Sequence, residues 1–284
     1  MRWPRLLVPV LANECSLARI LNALAPRRGV AIAQDLDFGA APRLKLDIYA
    51  PAARRGTQCP TVVFFYGGGW NSGDRSLYRF VGANLAAEGI VTVIPDYRVY
   101  PEVCFPAFMD DAAQAVAWTR TNAAAFGGDP RQLFLMGHSA GGQIAALLAL
   151  DGSYLRSVGI EPGAIAGMIG LAGPYDFLPL RDPTLKAIFG PESDWPRSQP
   201  IHFVTREAPP MLLLAGDGDE TVDPGNSRRL AARLRAAGDV VRLTVYPRIG
   251  HKALIGALAN PLTIFAPVRK DVLSFIAGNP SGNE

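Results

Sequence analysis

Only three cysteines, Cys15, Cys59 and Cys104, stand in the 284 residues, widely spaced and never as a CxxC pair. That number and spacing indicate neither a disulfide framework nor a zinc knuckle. No His/Cys/Asp cluster has metal-ligand spacing, so no metal is expected. Charged residues make up 19% of the chain, and the formal net charge is only +3 with no polybasic run. Nucleic acid is therefore not an expected partner. Arg228, Arg229, Arg233 and Arg235 cluster, but within an Ala/Leu-rich helical pattern that reads as a solvated face. No run approaches the ~18 consecutive apolar residues of a membrane-spanning helix. Internal repeats and low-complexity linkers are absent as well, which points to one main domain.

Apolar residues are plentiful at 49%, enough for a sizeable core without staples. They fall into short runs separated by helical patterns, the signature of a parallel sheet with crossover helices. Leu44–Tyr49 alternates and reads as an outer strand. Thr61–Tyr66, Ile90–Pro95, Gln132–Met136, Ile165–Leu171, Met211–Ala215 and Val240–Tyr246 read as further strands. After Pro106, Phe108, Ala112, Ala115 and Val116 form one apolar helical stripe, with Asp110 and Asp111 near the helix start as structural carboxylates. Residues 174–210 are rich in Pro, Asp and aromatics without a sustained period, and they read as a lid-like insertion. Residues 44–279 thus form the expected α/β domain, preceded by an N-terminal segment over 1–43.

That N-terminal segment permits two readings. Arg2 and Arg5 flank the apolar run Leu6–Ala12 ahead of Cys15, which resembles a degenerate bacterial lipoprotein signal. Glu14 occupies the position where cleavage wants a small residue, and the run sits at the lower limit of ~7 apolar residues. A surface helix on a cytoplasmic protein is the favoured expectation, with a periplasm-facing anchor through Cys15 as the alternative.

Gly137-His138-Ser139-Ala140-Gly141 fits Gly-x-Ser-x-Gly, with an apolar strand leading in and an Ala/Leu-rich helix leading out. A nucleophile elbow needs that strand–turn–helix context, because the sharp turn lifts the serine oxygen above the sheet. Upstream lies Tyr66-Gly67-Gly68-Gly69-Trp70, followed by Asn71-Ser72-Gly73-Asp74. This glycine run lacks both the Gly-x-Gly-x-x-Gly spacing of a dinucleotide turn and the Lys-Ser/Thr of a phosphate loop.

Together these motifs resemble the bacterial carboxylesterases of the esterase/lipase group of α/β hydrolases, close to the hormone-sensitive-lipase and formamidase-like branches. Asp96-Tyr97-Arg98, Pro101-Glu102, Phe105-Pro106-Ala107 and Gly128-Asp129-Pro130 share the likeness, in the family's order from about Leu44 to the C-terminal helix. The resemblance implies an α/β-hydrolase fold: a mostly parallel central sheet flanked by helices, with a short lid. It implies Ser139 as nucleophile and the N–H groups of Gly68, Gly69 and Ala140 as oxyanion donors. Tyr66 departs from the family's usual His, a side chain that mainly braces the loop.

Three histidines compete for the base. His138, inside the elbow, reads as a packing residue, and His202 lies in the lid-like stretch where it could touch substrate. His251 follows the last expected strand, where this fold places its base. For the acid, the family pattern Gly-x-x-Asp-x-x-Val maps onto Asp219, with Asp217, Glu220 and Asp223 as close competitors. Trp70 and Phe177 are further candidates to line the substrate site.

The expected activity is serine carboxylic-ester hydrolysis through an acyl-enzyme, on small or medium acyl esters. The alternatives are an amidase or formamidase with the same triad, or a non-catalytic binding protein on this scaffold. The expected partner is a small-molecule ester; no cofactor and no obligatory protein partner are implied, and oligomeric state is not legible.

Overall fold

The computed structural model describes residues 17–53 and 58–278. Cys15 and the run Leu6–Ala12 lie outside the described residues. An eight-stranded sheet forms the centre, in the order β1-β2-β4-β3-β5-β6-β7-β8. Its strands are β1 (Val30–Asp37), β2 (Lys45–Pro51), β3 (Cys59–Phe65), β4 (Val91–Pro95), β5 (Gly128–His138), β6 (Ile165–Leu171), β7 (Met211–Gly216) and β8 (Val241–Tyr246). β2 runs antiparallel to both β1 and β4, and every other pairing is parallel.

Two sequence expectations change. The strand expected at Leu44–Tyr49 is not outermost, because β1 covers its free edge. The sheet therefore begins at Val30, inside the segment over 1–43 expected to precede the domain. β1 hides from pattern reading because it is mostly exposed, as an edge strand is. Its register breaks between Ala33 and Leu36, with Asp35 at φ 58°. That bulge turns the edge aside and directs Asp35 toward the domain.

Nine helices are described: α1 over 17–24, α2 (Arg79–Ala87), α3 (Ala107–Asn122), α4 (Ala140–Leu150), α5 (Gly152–Ser157), α6 (Pro183–Phe189), α7 (Gly225–Ala237), α8 (His251–Gly256) and α9 (Val268–Ile276). The chain steps one way from β3 to β4 and back across β3 to β5. Right-handed crossovers therefore put α2 and α3 on opposite faces of the sheet. α9 joins α2, with the Arg269 guanidinium donating to Asn84 Oδ1 at 3.0 Å. α4 is apolar nearly all round and buried from Ala140 to Ala149, as a helix wedged between sheet and outer helices must be. On α7, the expected arginine face is exposed, and Arg229 pairs with Asp176 at 2.5 Å.

The 174–210 stretch is not a bare loop. Asp182 caps α6 by accepting from the Thr184 and Leu185 amides, with Pro183 opening the helix. Two 3-10 segments follow, Glu192–Ser198 and Pro200–Phe203. Leu180, Ile188, Phe189 and Trp195 are buried beneath it, so much of the segment's apolar content packs it onto the domain.

Candidate active site

Ser139 is the single residue between β5 and α4. It holds φ 56° and ψ −126°, a backbone conformation that L side chains rarely adopt. Close approach explains the flanking glycines. A Cβ on Gly137 would meet the Gly141 carbonyl oxygen at 2.0 Å, and one on Gly141 would meet the Phe65 oxygen at 2.1 Å. The Ser139 amide donates to the Leu171 carbonyl at 2.9 Å, fixing the turn to the end of β6.

The glycine loop leaves β3, the strand beside β5. A Cβ on Gly67 would come within 2.9 Å of the Ser139 Cβ, so loop and elbow are in direct contact. Gly68 and Gly69 have φ of 144° and 59°, which glycine alone adopts without strain. The Gly68 carbonyl accepts from the Asn71 and Ser72 amides and from Ser72 Oγ, locking the loop's shape. Among the described residues, the Gly68 and Gly69 amides donate to no protein acceptor. The Ala140 amide opens α4, where unpaired N–H groups and the helix dipole favour negative charge.

Tyr66, at the root of this loop, is buried. Its hydroxyl donates to Asp96 Oδ1 at 2.7 Å, and its ring stacks on Tyr97 and on Tyr78. Asp96 also receives the Arg75 amide and guanidinium, and Arg75 Nε reaches Asp47 at 2.9 Å. The same guanidinium pairs with Asp35 on the bulged edge strand. A bracing side chain was expected here; the ionic cluster behind it was not legible from sequence.

Of the four candidate acids, the structure pairs Asp219 with His251. Asp219 is 8% exposed, and its Oδ2 lies 2.7 Å from His251 Nδ1. Its Oδ1 accepts from the Thr221 and Val222 amides, each at 2.9 Å. Burial works to raise the carboxyl, but the bonds from His251 and the two amides outweigh it and hold it below the usual range. Asp217 instead accepts the Arg248 amide, and Asp223 caps the Gly225 amide at 2.8 Å. Glu220 is exposed. Contact between the two loops keeps the pair in place: a Cβ on Gly216 would meet the Ile249 oxygen at 1.9 Å. His251 itself is the first residue of α8.

His138 is buried, as a packing residue should be, but what it packs is His251. The two ring centroids lie 4.6 Å apart, and His138 Nε2 faces the His251 carbonyl at 3.2 Å. His202 is exposed, with its Nδ1 3.1 Å from the Pro196 carbonyl. The structure ties it to the surface of its own segment rather than to the residues around Ser139.

Trp70 is buried directly after the glycines. Its ring stacks on Phe177 at 5.7 Å and meets Phe189 edge-on at 4.9 Å. Its indole N–H goes to Gln143, a wholly buried residue that motif reading missed. A lone polar residue in the otherwise apolar stretch after the elbow was the available signal.

The sheet order, the antiparallel second strand and the strained serine between β5 and α4 define an α/β hydrolase. The BD-FAE family model matches residues 46–234, and the chain belongs to that family. Among curated relatives, isoprenylcysteine alpha-carbonyl methylesterase ICME of Arabidopsis thaliana is 30% identical over 252 residues, 81% of this chain and 58% of the plant protein. Esterase LipC of Mycobacterium tuberculosis is 30% identical over 85% of this chain and 65% of its own. The chain thus spans less than two thirds of these relatives' length. Esterase B from Lactobacillus Rhamnosis superposes with a TM-score of 0.81 at 20% identity, covering 95% of this chain and 93% of that one, a likeness in fold.

Proposed function

We propose that the protein is a serine carboxylic-ester hydrolase that works through an acyl-enzyme on small or medium acyl esters. The observation that carries this reading is the Asp219–His251 hydrogen bond at 2.7 Å, built beside a strained serine elbow. Esterase names among the 30%-identical relatives support it.

A serine hydroxyl is a weak nucleophile and needs a neighbouring base. An ionised Asp219 can only accept, so His251 Nδ1 carries a hydrogen, and the neutral tautomer this selects is the one whose Nε2 can act as the base. In the proposed reaction Ser139 Oγ attacks the ester carbonyl while His251 Nε2 takes its proton. The Gly68, Gly69 and Ala140 amides receive the developing oxyanion. His251 returns the proton to the departing alcohol, and water then attacks the acyl-serine by the same relay. Oriented donors of this kind are worth about 10²–10³ in rate apiece. The Trp70–Phe177 stack next to the glycines supplies an apolar wall on the acyl side.

The test is hydrolysis of nitrophenyl acetate, butyrate and octanoate by the parent and by Ser139→Ala. Activity on the shorter esters that vanishes in the variant is expected. A folded parent inert on all three, yet active on the matching anilides, would replace the ester reading with an amidase.

A further inference from the structure

Gln143 sits one helical turn beyond Ser139, its amide donating to the Ser139 carbonyl at 3.2 Å. Its side chain works in two directions. Oε1 accepts the Trp70 indole N–H at 3.0 Å, and Nε2 donates to the Ser198 carbonyl at 2.8 Å. Ser198 Oγ accepts from Gln199 Nε2 at 2.7 Å, and Gln199 Oε1 accepts the Phe177 amide at 2.7 Å. The Phe177 ring then lies on Trp70. The path closes on itself, from the glycine loop through α4 and the 174–210 segment and back to the same indole. Gln143, Ser198 and Gln199 are each fully buried.

Apolar packing alone would hold the segment down, but it has no preferred register. A closed path of buried polar groups does, because sliding the segment would leave donors and acceptors unpaired away from water. The Gln143 amide meets both demands, accepting from an indole on one side and donating to a carbonyl on the other. Glutamate would set a lone pair against the Ser198 oxygen, and methionine would satisfy neither side. Trp70 follows Gly68 and Gly69 directly in the chain and carries the Phe177 ring against it. On the ester-hydrolase reading, the acyl group of a bound ester begins at those glycines.

We infer that Gln143 is the specificity-determining residue of the site: by fixing Phe177 and the 174–210 segment against Trp70, it sets the length of acyl chain accepted. The inference rests on the ester-hydrolase reading. The experiment compares the parent with Gln143→Met, which keeps the shape and removes both bonds, on nitrophenyl acetate, butyrate and octanoate. Limited proteolysis of the 174–210 segment is followed in parallel. The variant should raise the octanoate-to-acetate ratio of kcat/KM by about tenfold, the scale of one misplaced methylene in a pocket. Cleavage within 174–210 should also accelerate. Gln199→Met opens the same path from the other side and should move both readouts in the same direction, so it decides the matter if Gln143→Met does not fold. A parent inactive on all three esters would remove the ester reading and the acyl-length assignment together. An active parent, with variants that slow on all three esters equally, would leave the ester reading standing and overturn this inference alone. Unchanged cleavage of the segment would overturn it too.

Discussion

His138 Nε2 lies 3.2 Å from the carbonyl oxygen of His251, so the residue before the elbow serine holds the backbone of the histidine proposed as base. A carbonyl can only accept, which puts the His138 hydrogen on Nε2 and leaves its buried Nδ1 bare. Burial, and after it the charge on His251, pushes the His138 imidazolium down to about 3. The unfolded chain takes up that proton below about pH 6.5, and the native chain does not. His138 therefore lowers stability progressively as pH falls from about 6.5 toward 3, by up to about 1.4 kcal/mol per pH unit. Asp219, whose folded carboxyl is depressed, adds its own loss only below about pH 4. His138→Gln should consequently flatten the melting temperature profile between about pH 6.5 and 4.5 relative to the parent. Calorimetry at constant ionic strength reads this directly, and parallel profiles would contradict it.

Asp219→Asn tests the acid. The side-chain oxygen can still accept from the Thr221 and Val222 amides, so the loop should fold as before. An amide N–H facing His251 Nδ1 would select the wrong tautomer, and kcat should fall about ten-thousand-fold with little change in melting temperature. Asp217→Asn likewise keeps an oxygen that can accept the Arg248 amide, touches no part of the Asp219–His251 pair, and should stay within about tenfold of the parent. Equal losses in the two variants would remove the assignment of the acid to Asp219.

The elbow glycines make a prediction of the opposite kind, in which folding fails. Gly137→Ala sets a methyl 2.0 Å from the Gly141 oxygen, and Gly141→Ala sets one 2.1 Å from the Phe65 oxygen. Both obstacles are backbone and cannot swing aside, so each change should cost about 3 kcal/mol or more. Gly250→Ala is the control: the nearest atom to its added methyl is the Gly218 oxygen at 3.4 Å. Denaturant melts should separate the first two variants from the third.

Much of this arrangement was legible in the sequence because it depends on local rules. Strands buried on both faces read as β-branched and aromatic runs, and an elbow must carry small residues around its serine. The family spacing led to Asp219 because a loop of fixed length leaves a buried strand there. What stayed hidden depends on contacts across the fold. β1 carries an edge pattern too exposed to stand out, and Asp35 gains meaning only when the bulge brings it to Arg75. Gln143 looked like one polar residue in an alanine-rich helix until Trp70 and Ser198 met it from opposite sides. His202 illustrates the converse: position in the segment suggested a substrate contact, and folding turned it outward to the Pro196 carbonyl.

Tyr66 shows how the loop can tolerate a departure from the family pattern. Its ring fills the space beside Gly73, where an added Cβ would come within 2.7 Å of it, and its hydroxyl bonds Asp96. The Gly68 carbonyl, however, is held by Asn71 and Ser72, independently of that hydroxyl. Bracing and donation are thus separable. Tyr66→Phe keeps the stacking on Tyr97 and Tyr78 but takes one donor from a buried carboxylate that still has Arg75. The expected loss is about 2 kcal/mol, since hydrogen bonds to charged groups are worth about 1.5–3. For a domain of this size that is a drop of roughly 4–8 °C in melting temperature. Because the glycine amides keep their orientation, kcat on nitrophenyl butyrate should stay within about tenfold of the parent, well short of the 10²–10³ lost with an oxyanion donor. A stable Tyr66→Phe protein that loses two or more orders of magnitude in kcat would mean that the hydroxyl orients the glycine loop itself, and the independence argued from Asn71 and Ser72 would fail.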